Sequence, residues 1–335
     1  MPKSISVRLS GLFTKHPEAA AGLATLVMFG LFSWWGTNFL TIYSVNIMLV
    51  ILAEWGIVAL GFTLLMISGE FDLSVGSVLA LSGILVMFMV NAGLPVPIAV
   101  VIMLILGVAI GLLNGLIVVK LGIPSFIVTL AAMLFWRGVI LVITKGFPVS
   151  FNLDRSTATH VQVPFLEIFS YRFENGFNIS VLWSIGVAVM LTLILQRTRF
   201  GNWIFATGGN KLGAIQAGVP VNRVKLILFG LTAGLASLAG IIQMSRLGDV
   251  DPLRAELIEL RAIAAIVVGG TLLFGGYGSI LGTVFGVLLI GIVGQGLVMA
   301  GVPGTLFEGF LGVLIVVGVI INTMAQRRAL GVSGK

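Results

Sequence analysis

Apolar runs, most of them about 20 residues long, recur ten times along this chain, and no other feature constrains its fold as strongly. At 1.5 Å per residue, a run of that length crosses a hydrocarbon core of roughly 30 Å as a helix. The spans are expected at about 18–35, 41–67, 73–90, 98–119, 125–144, 179–195, 226–244, 262–274, 279–300 and 305–324. With 58% hydrophobic and only 9% charged residues in 335, a soluble domain has too little interior to hide this apolar surface. The 44 glycines suit a helical membrane bundle, where small residues let helices approach closely. The chain has no cysteine, and its only histidines are His16 and His160, so disulfides and thiolate or imidazole metal clusters are excluded. No metal and no cofactor are expected. No nucleophile–base pair stands out either, so the chain does not read as an enzyme.

The net charge of +7 marks orientation across a lipid bilayer rather than affinity for nucleic acid. Lys3, Arg8 and Lys15 precede the first span, which lacks a small-residue cleavage site after it and reads as a retained anchor. With ten spans both termini share one side. That side collects twelve Lys/Arg, against six on the other: Lys145, Arg155, Arg172, Arg246, Arg254 and Arg261. The positive-inside rule then places both termini in the cytoplasm. The polar stretch 145–178 lies outside, as does 246–261, whose Leu253, Leu257 and Leu260 at helical spacing predict a surface helix.

A shift of 179 residues brings Gly69-Glu70-Phe71-Asp72 onto Gly248-Asp249-Val250-Asp251. The same shift carries Gly107, Gly115, Gly122 and Pro124 onto Gly286, Gly294, Gly301 and Pro303. The offset covers five spans, an odd number, so the two halves cross the membrane in opposite directions, as transporter repeats commonly do. The expected fold is an all-α integral membrane protein with about ten transmembrane helices in two inverted five-helix repeats. Repeat 1 covers about 41–196 and repeat 2 about 226–324, within a single transmembrane domain 1–335.

Between the repeats lies 197–225, which carries five Lys/Arg and no Asp or Glu. Its interior is patterned to fold. Gly208 and Gly209 offer a turn, Asn210 an N-cap, Lys211 to Gln216 about two helical turns, and Gly218 with Pro220 a stop. A short helix held at the basic face of a membrane protein reads as a docking element.

Three segments, Gly69-Glu-Phe-Asp-Leu-Ser-Val-Gly-Ser77, 206–219 and Gly269-Gly-Thr-Leu-Leu-Phe-Gly-Gly-Tyr-Gly-Ser279, resemble the permease subunits of bacterial ribose-type, simple-sugar ATP-binding-cassette importers. The resemblance runs from about residue 44 to 324. It carries Gly69, Asp72, Gly76, Ser77, Gly269, Gly270 and Gly278 as family motif positions. The chain departs from the pattern at Glu70, where the family commonly has glycine, and at Arg261, where it often has an acid. The resemblance implies a bacterial inner-membrane permease that works as a homodimer, receives a sugar from a periplasmic binding protein and is driven by a cytoplasmic ATPase. That ATPase would seat on Ala206, Gly208, Gly209, Asn210, Lys211, Ala214, Ala217 and Gly218. The chain itself has no Gly-x4-Gly-Lys-Ser/Thr loop to cradle ATP.

Glu54 and Arg137 fall inside spans, where a charge is costly unless paired or wet, and together with Asn46 and Trp136 they are candidates for the translocation pathway. Read without the resemblance, the same two charges allow a self-sufficient transporter coupled to protons or ions. Asp72 is expected to N-cap the third span, and Glu70 to pair with Lys120. The four-residue glycine spacings at Gly107, Gly111 and Gly115, and at Gly278, Gly282 and Gly286, predict close helix contacts within one subunit.

Overall fold

Helices carry nearly all of the regular structure in a computed structural model that describes residues 17–36, 38–151, 162–174, 176–304 and 306–329. Lys3, Arg8, Lys15, His16, Arg155, His160 and Lys335 lie outside the described residues. The helices are α1 (Pro17–Trp35), α2 (Ile42–Ile67), α3 (Val75–Asn91), α4 (Val96–Leu121), α5 (Ser125–Thr144), α6 (Gln162–Ser170) and α7 (Ser180–Arg197). They continue with α8 (Arg199–Gly209), α9 (Lys211–Gln216), α10 (Val221–Leu247), α11 (Ile258–Val268), α12 (Ile280–Met299) and α13 (Leu306–Ala329). The two strands, β1 (Val149–Ser150) and β2 (Asp249–Val250), pair antiparallel. Seven helices, α1, α2, α4, α5, α7, α10 and α12, are long and apolar enough to cross a membrane, and α3 and the first part of α13 are shorter apolar helices. The chain is an all-α, multi-pass membrane protein.

Each of the ten expected spans meets a helix, but two boundaries move. The helix of the eighth span, α11, starts at Ile258 and stops at Val268 rather than covering 262–274. The following 269–279 is a glycine-rich loop with Gly270, Gly275 and Gly276 at positive φ, a conformation that ends helices. The expected surface helix in 246–261 is also absent. Instead α10 runs on to Leu247, Gly248 closes it in the left-handed region, and the chain enters β2. Pro252 follows, biasing Asp251 away from helix, and Leu257 sits at φ 62° before α11.

The most deeply buried long helices are α2 and α10, which pack against each other at the centre. The α4 glycines face α10. A methyl added at Gly111 would overlap the Phe229 carbonyl oxygen, and one at Gly107 would come within 2.6 Å of Ser237 Cβ. On α12, Gly282 and Gly286 press onto Gly269 and Ala265 of the α11 segment, while Gly278 belongs to the loop and meets Thr271 and Ile67. The glycine spacings therefore mark contacts within the chain.

The second half repeats the contacts of the first. Helix α4 packs on α10 and α12 on α2; α3 touches α4 and α5, while α11 touches α12 and α13. Left-handed glycines fall at Gly69 and Gly248, and again at Gly122 and Gly301, each pair separated by the same 179 residues.

Candidate functional site

The segment after α7 folds as two short helices. Thr198 caps α8, its hydroxyl accepting the Gly201 N–H at 3.2 Å. Asn210 caps α9, its side-chain oxygen accepting the Gly213 N–H at 2.9 Å. Ala217 ends α9 and Gly218 follows at φ +80°. Helix α9 thus takes the expected bounds, with one correction: Gly208 and Gly209 are the last turn of α8, not a turn before α9. The reason is packing. A methyl on Gly208 would overlap the Ile67 carbonyl oxygen and come within 2.6 Å of the Gly276 nitrogen. Gly276 itself donates its N–H to Ile67 O at 2.8 Å. The end of α8, the end of α2 and the 269–279 loop therefore meet backbone to backbone, bringing all three motif segments to one end of the bundle.

Outward from this junction, α9 buries Ala214 and turns Leu212 (74% exposed) and Ile215 (52%) away from the protein. Lys211 and Gln216 beside them are also exposed. Phe274 of the adjoining loop is 90% exposed. Apolar side chains standing clear of a short polar helix form a patch that a protein partner can cover.

The turn between α2 and α3 is held by polar contacts to neighbouring helices. The Phe71 N–H donates to Ser125 Oγ at 3.0 Å, Asn114 Nδ2 to Ser74 Oγ at 3.0 Å, and Ser77 Oγ to the Met133 carbonyl at 2.9 Å. Asp72 is fully buried and accepts the Ser74 N–H at 2.9 Å and the Ser74 hydroxyl. This makes it the anchor of a tight turn; the N-cap position belongs to Ser74. Burial pushes the Asp72 carboxyl up to about 6 despite the two Ser74 hydrogen bonds that favour its charge. Gly76 faces the buried carboxylate of Glu259 and the Ala255 carbonyl.

Glu70 pairs with Lys225 of α10, not with Lys120, and both side chains are about nine-tenths buried. The pair ties the α2–α3 turn to the helix that follows α9. Removing one member strands the other charge, whereas replacing both does not. The Lys225→Met variant is therefore expected to unfold at a lower temperature than the Glu70→Gln/Lys225→Met double variant, measured by thermal unfolding in detergent.

The four pathway candidates are not brought together. Glu54 is 1% exposed between α2 and α10, where Arg246 Nε donates to its Oε1 at 2.7 Å and Arg246 Nη2 and Gln243 Nε2 to its Oε2 at 3.3 and 3.0 Å. Arg137, on α5, reaches Glu256 at 3.5 Å, and Trp136 stacks edge-on with Phe135. Asn46 lies against Gly176. Arg246, whose charge in the sequence points to an external loop, is instead in the last turn of α10. Its signal was the three-residue spacing from Gln243, which puts both on one face of α10.

The chain matches the family model described as branched-chain amino acid transport system / permease component over residues 43–319. It is 36% identical to the ribose import permease protein RbsC of Escherichia coli (strain K12) over 313 residues, covering 92% of this chain and 94% of that one. It is 36% identical over 267 residues to the ribose import permease protein RbsC of Bacillus subtilis (strain 168), covering 80% of each. It is 37% identical over 287 residues to the xylose/arabinose import permease protein XylH of Sulfolobus acidocaldarius, covering 82% of this chain and 76% of that one. No solved structure matches.

Proposed function

The chain belongs to the family of branched-chain amino acid transport system permease components, and from that membership we propose that it is the membrane-spanning subunit of an ATP-driven sugar importer. The cargo is a monosaccharide or a similar small polar solute, delivered by a periplasmic binding protein. Two copies form the pathway in a bacterial inner membrane, with both termini cytoplasmic and the two five-helix repeats, 41–196 and 226–324, inverted. A cytoplasmic ATPase seats on α9.

The observation that carries this reading is the junction at Gly208. Helix α9, which exposes Leu212 and Ile215 to a partner, follows directly on α8, whose last turn is packed through backbone contacts on the end of α2 and on the 269–279 loop. A partner that moves α9 and α8 therefore moves the ends of the spans. On this mechanism ATP binding closes the ATPase pair, draws the two α9 helices together and tilts the spans, and a weakly binding pathway releases the solute inward. Glu54, engaged by a guanidinium and an amide, is an internal strut on this reading rather than a proton carrier.

The test is a mild-detergent pull-down of the tagged protein from its native host. An ATPase is expected to co-purify with the parent and to be lost from the Leu212→Glu/Ile215→Glu variant, with the permease still dimeric. Retention of the ATPase by that variant, or its absence from the parent, would overturn the assignment of α9.

A further inference from the structure

A cavity of about 210 Å³ opens between α2, α11, α12 and α13, in the half of the bundle remote from α9. Its wall is mostly apolar, with Met48 and Ile290 among the lining residues, and the polar groups on it are Arg261, Gln295 and the Trp55 indole. The Arg261 guanidinium lies over the Trp55 ring at 4.7 Å and over the Phe307 ring at 5.6 Å. These rings come from α2 and α13, so the two halves of the chain hold the cation between them.

Stacking occupies the guanidinium plane and leaves its N–H edge free to donate. Nε is buried and has no hydrogen-bond partner among the described residues. Glu259 and Glu308 act on Arg261 electrostatically, but neither forms an ion pair with it. Glu259 turns its carboxylate toward Gly76 on α3, and Glu308 is exposed. The other buried or half-buried cations described above, Lys225, Arg246 and Arg137, each have a carboxylate partner. Arg261 is the cation left facing a cavity.

We infer that this cavity is an anion subsite, which takes a monosaccharide-sized solute through a carboxylate or phosphate on Arg261. The volume, below the about 300–1,000 Å³ of pockets for drug-sized ligands, limits the occupant to a small molecule. Planar guanidinium and planar carboxylate match in geometry, and a low-dielectric wall strengthens the interaction. Gln295 supplies an amide for a hydroxyl, and Met48 and Ile290 receive the carbon skeleton. The inference names a substrate class for the proposed importer and rests on that reading.

The experiment uses the full chain in nanodiscs of zwitterionic phosphatidylcholine, with the thermal unfolding midpoint titrated by D-ribonate or by D-ribose at matched ionic strength. D-ribonate is expected to raise the midpoint at concentrations at least tenfold lower than D-ribose. That difference should vanish in Arg261→Gln and persist in Arg261→Lys, which keeps the charge if the neutral variant fails to fold. Equal responses to the two probes, or a preference unchanged in Arg261→Gln and lost in neither variant, would overturn the subsite. A midpoint raised by phosphatidylglycerol nanodiscs alone, with the D-ribonate response abolished, would assign the anion to a lipid headgroup and overturn the solute. Co-purification of the ATPase is unaffected by any of these results, so failure here leaves the importer reading to stand or fall on the pull-down.

Discussion

Replacing Gly208 with leucine is expected to reduce uptake of the permease's labelled sugar to that of cells lacking the permease, while the protein still inserts in the membrane. No rotamer of the new side chain relieves the conflict, because the overlap begins at Cβ, against the Ile67 carbonyl oxygen and the Gly276 nitrogen. Both obstacles are backbone and cannot swing away, so α8 must lift off the α2 end and the 269–279 loop. The Gly276 N–H to Ile67 O hydrogen bond lies in the same contact and is strained with it. The neighbouring residue supplies the control. A methyl on Gly209 meets only Gly276 Cα at 3.7 Å, an ordinary contact, so Gly209→Ala is expected to retain uptake. Equal uptake by Gly208→Leu and the parent, at equal membrane levels, would sink the idea that this junction transmits movement.

The second large effect is expected at Glu54. Its carboxylate accepts from Arg246 and Gln243, and with it removed Arg246, about three-quarters buried, is left without a counter-charge. Breaking such a pair from one side costs about 3–5 kcal/mol, and the partial exposure of Arg246 points to the lower end. Glu54→Leu should therefore unfold at a clearly lower temperature in detergent than the parent. The Glu54→Leu/Arg246→Met double variant should recover much of the loss, since an apolar pair leaves no stranded charge. A double variant no more stable than Glu54→Leu would show that packing at this position, rather than charge compensation, sets the cost.

The membrane fold was legible because lipid leaves the backbone so few choices: a long apolar run has to be a helix. Helix α9 was legible for a local reason, its Asn210 cap and Gly218 stop being written within a few residues of each other. The end of α10 was not. Arg246 reads as a loop residue by charge, and only the tertiary contact with Glu54 makes it affordable inside a helix. Asp72 was placed near its true role, but the choice between cap and turn anchor depends on a two-residue shift of the helix start. Gly208 reads as a turn former, and the helical conformation it adopts follows from the close approach of Ile67, more than a hundred residues earlier in the chain. The Arg261 cavity was likewise invisible, since Trp55, Arg261 and Phe307 have no spacing in common.

The two ion pairs that tie α10 to α2 and to the turn just after it lie far apart along α10. Lys225 stands near the end of α10 that follows α9 and Arg246 near the other, roughly 30 Å away at 1.5 Å per residue. Their partners run in the reverse order, Glu54 within α2 and Glu70 in the turn that follows it. Two elements pinned at two separated points cannot slide or twist against one another without tearing a pin. They behave as one beam. On the proposed mechanism a push at the Lys225 end of this beam reaches its Arg246 end, and any relative movement falls at the seams around it rather than within it.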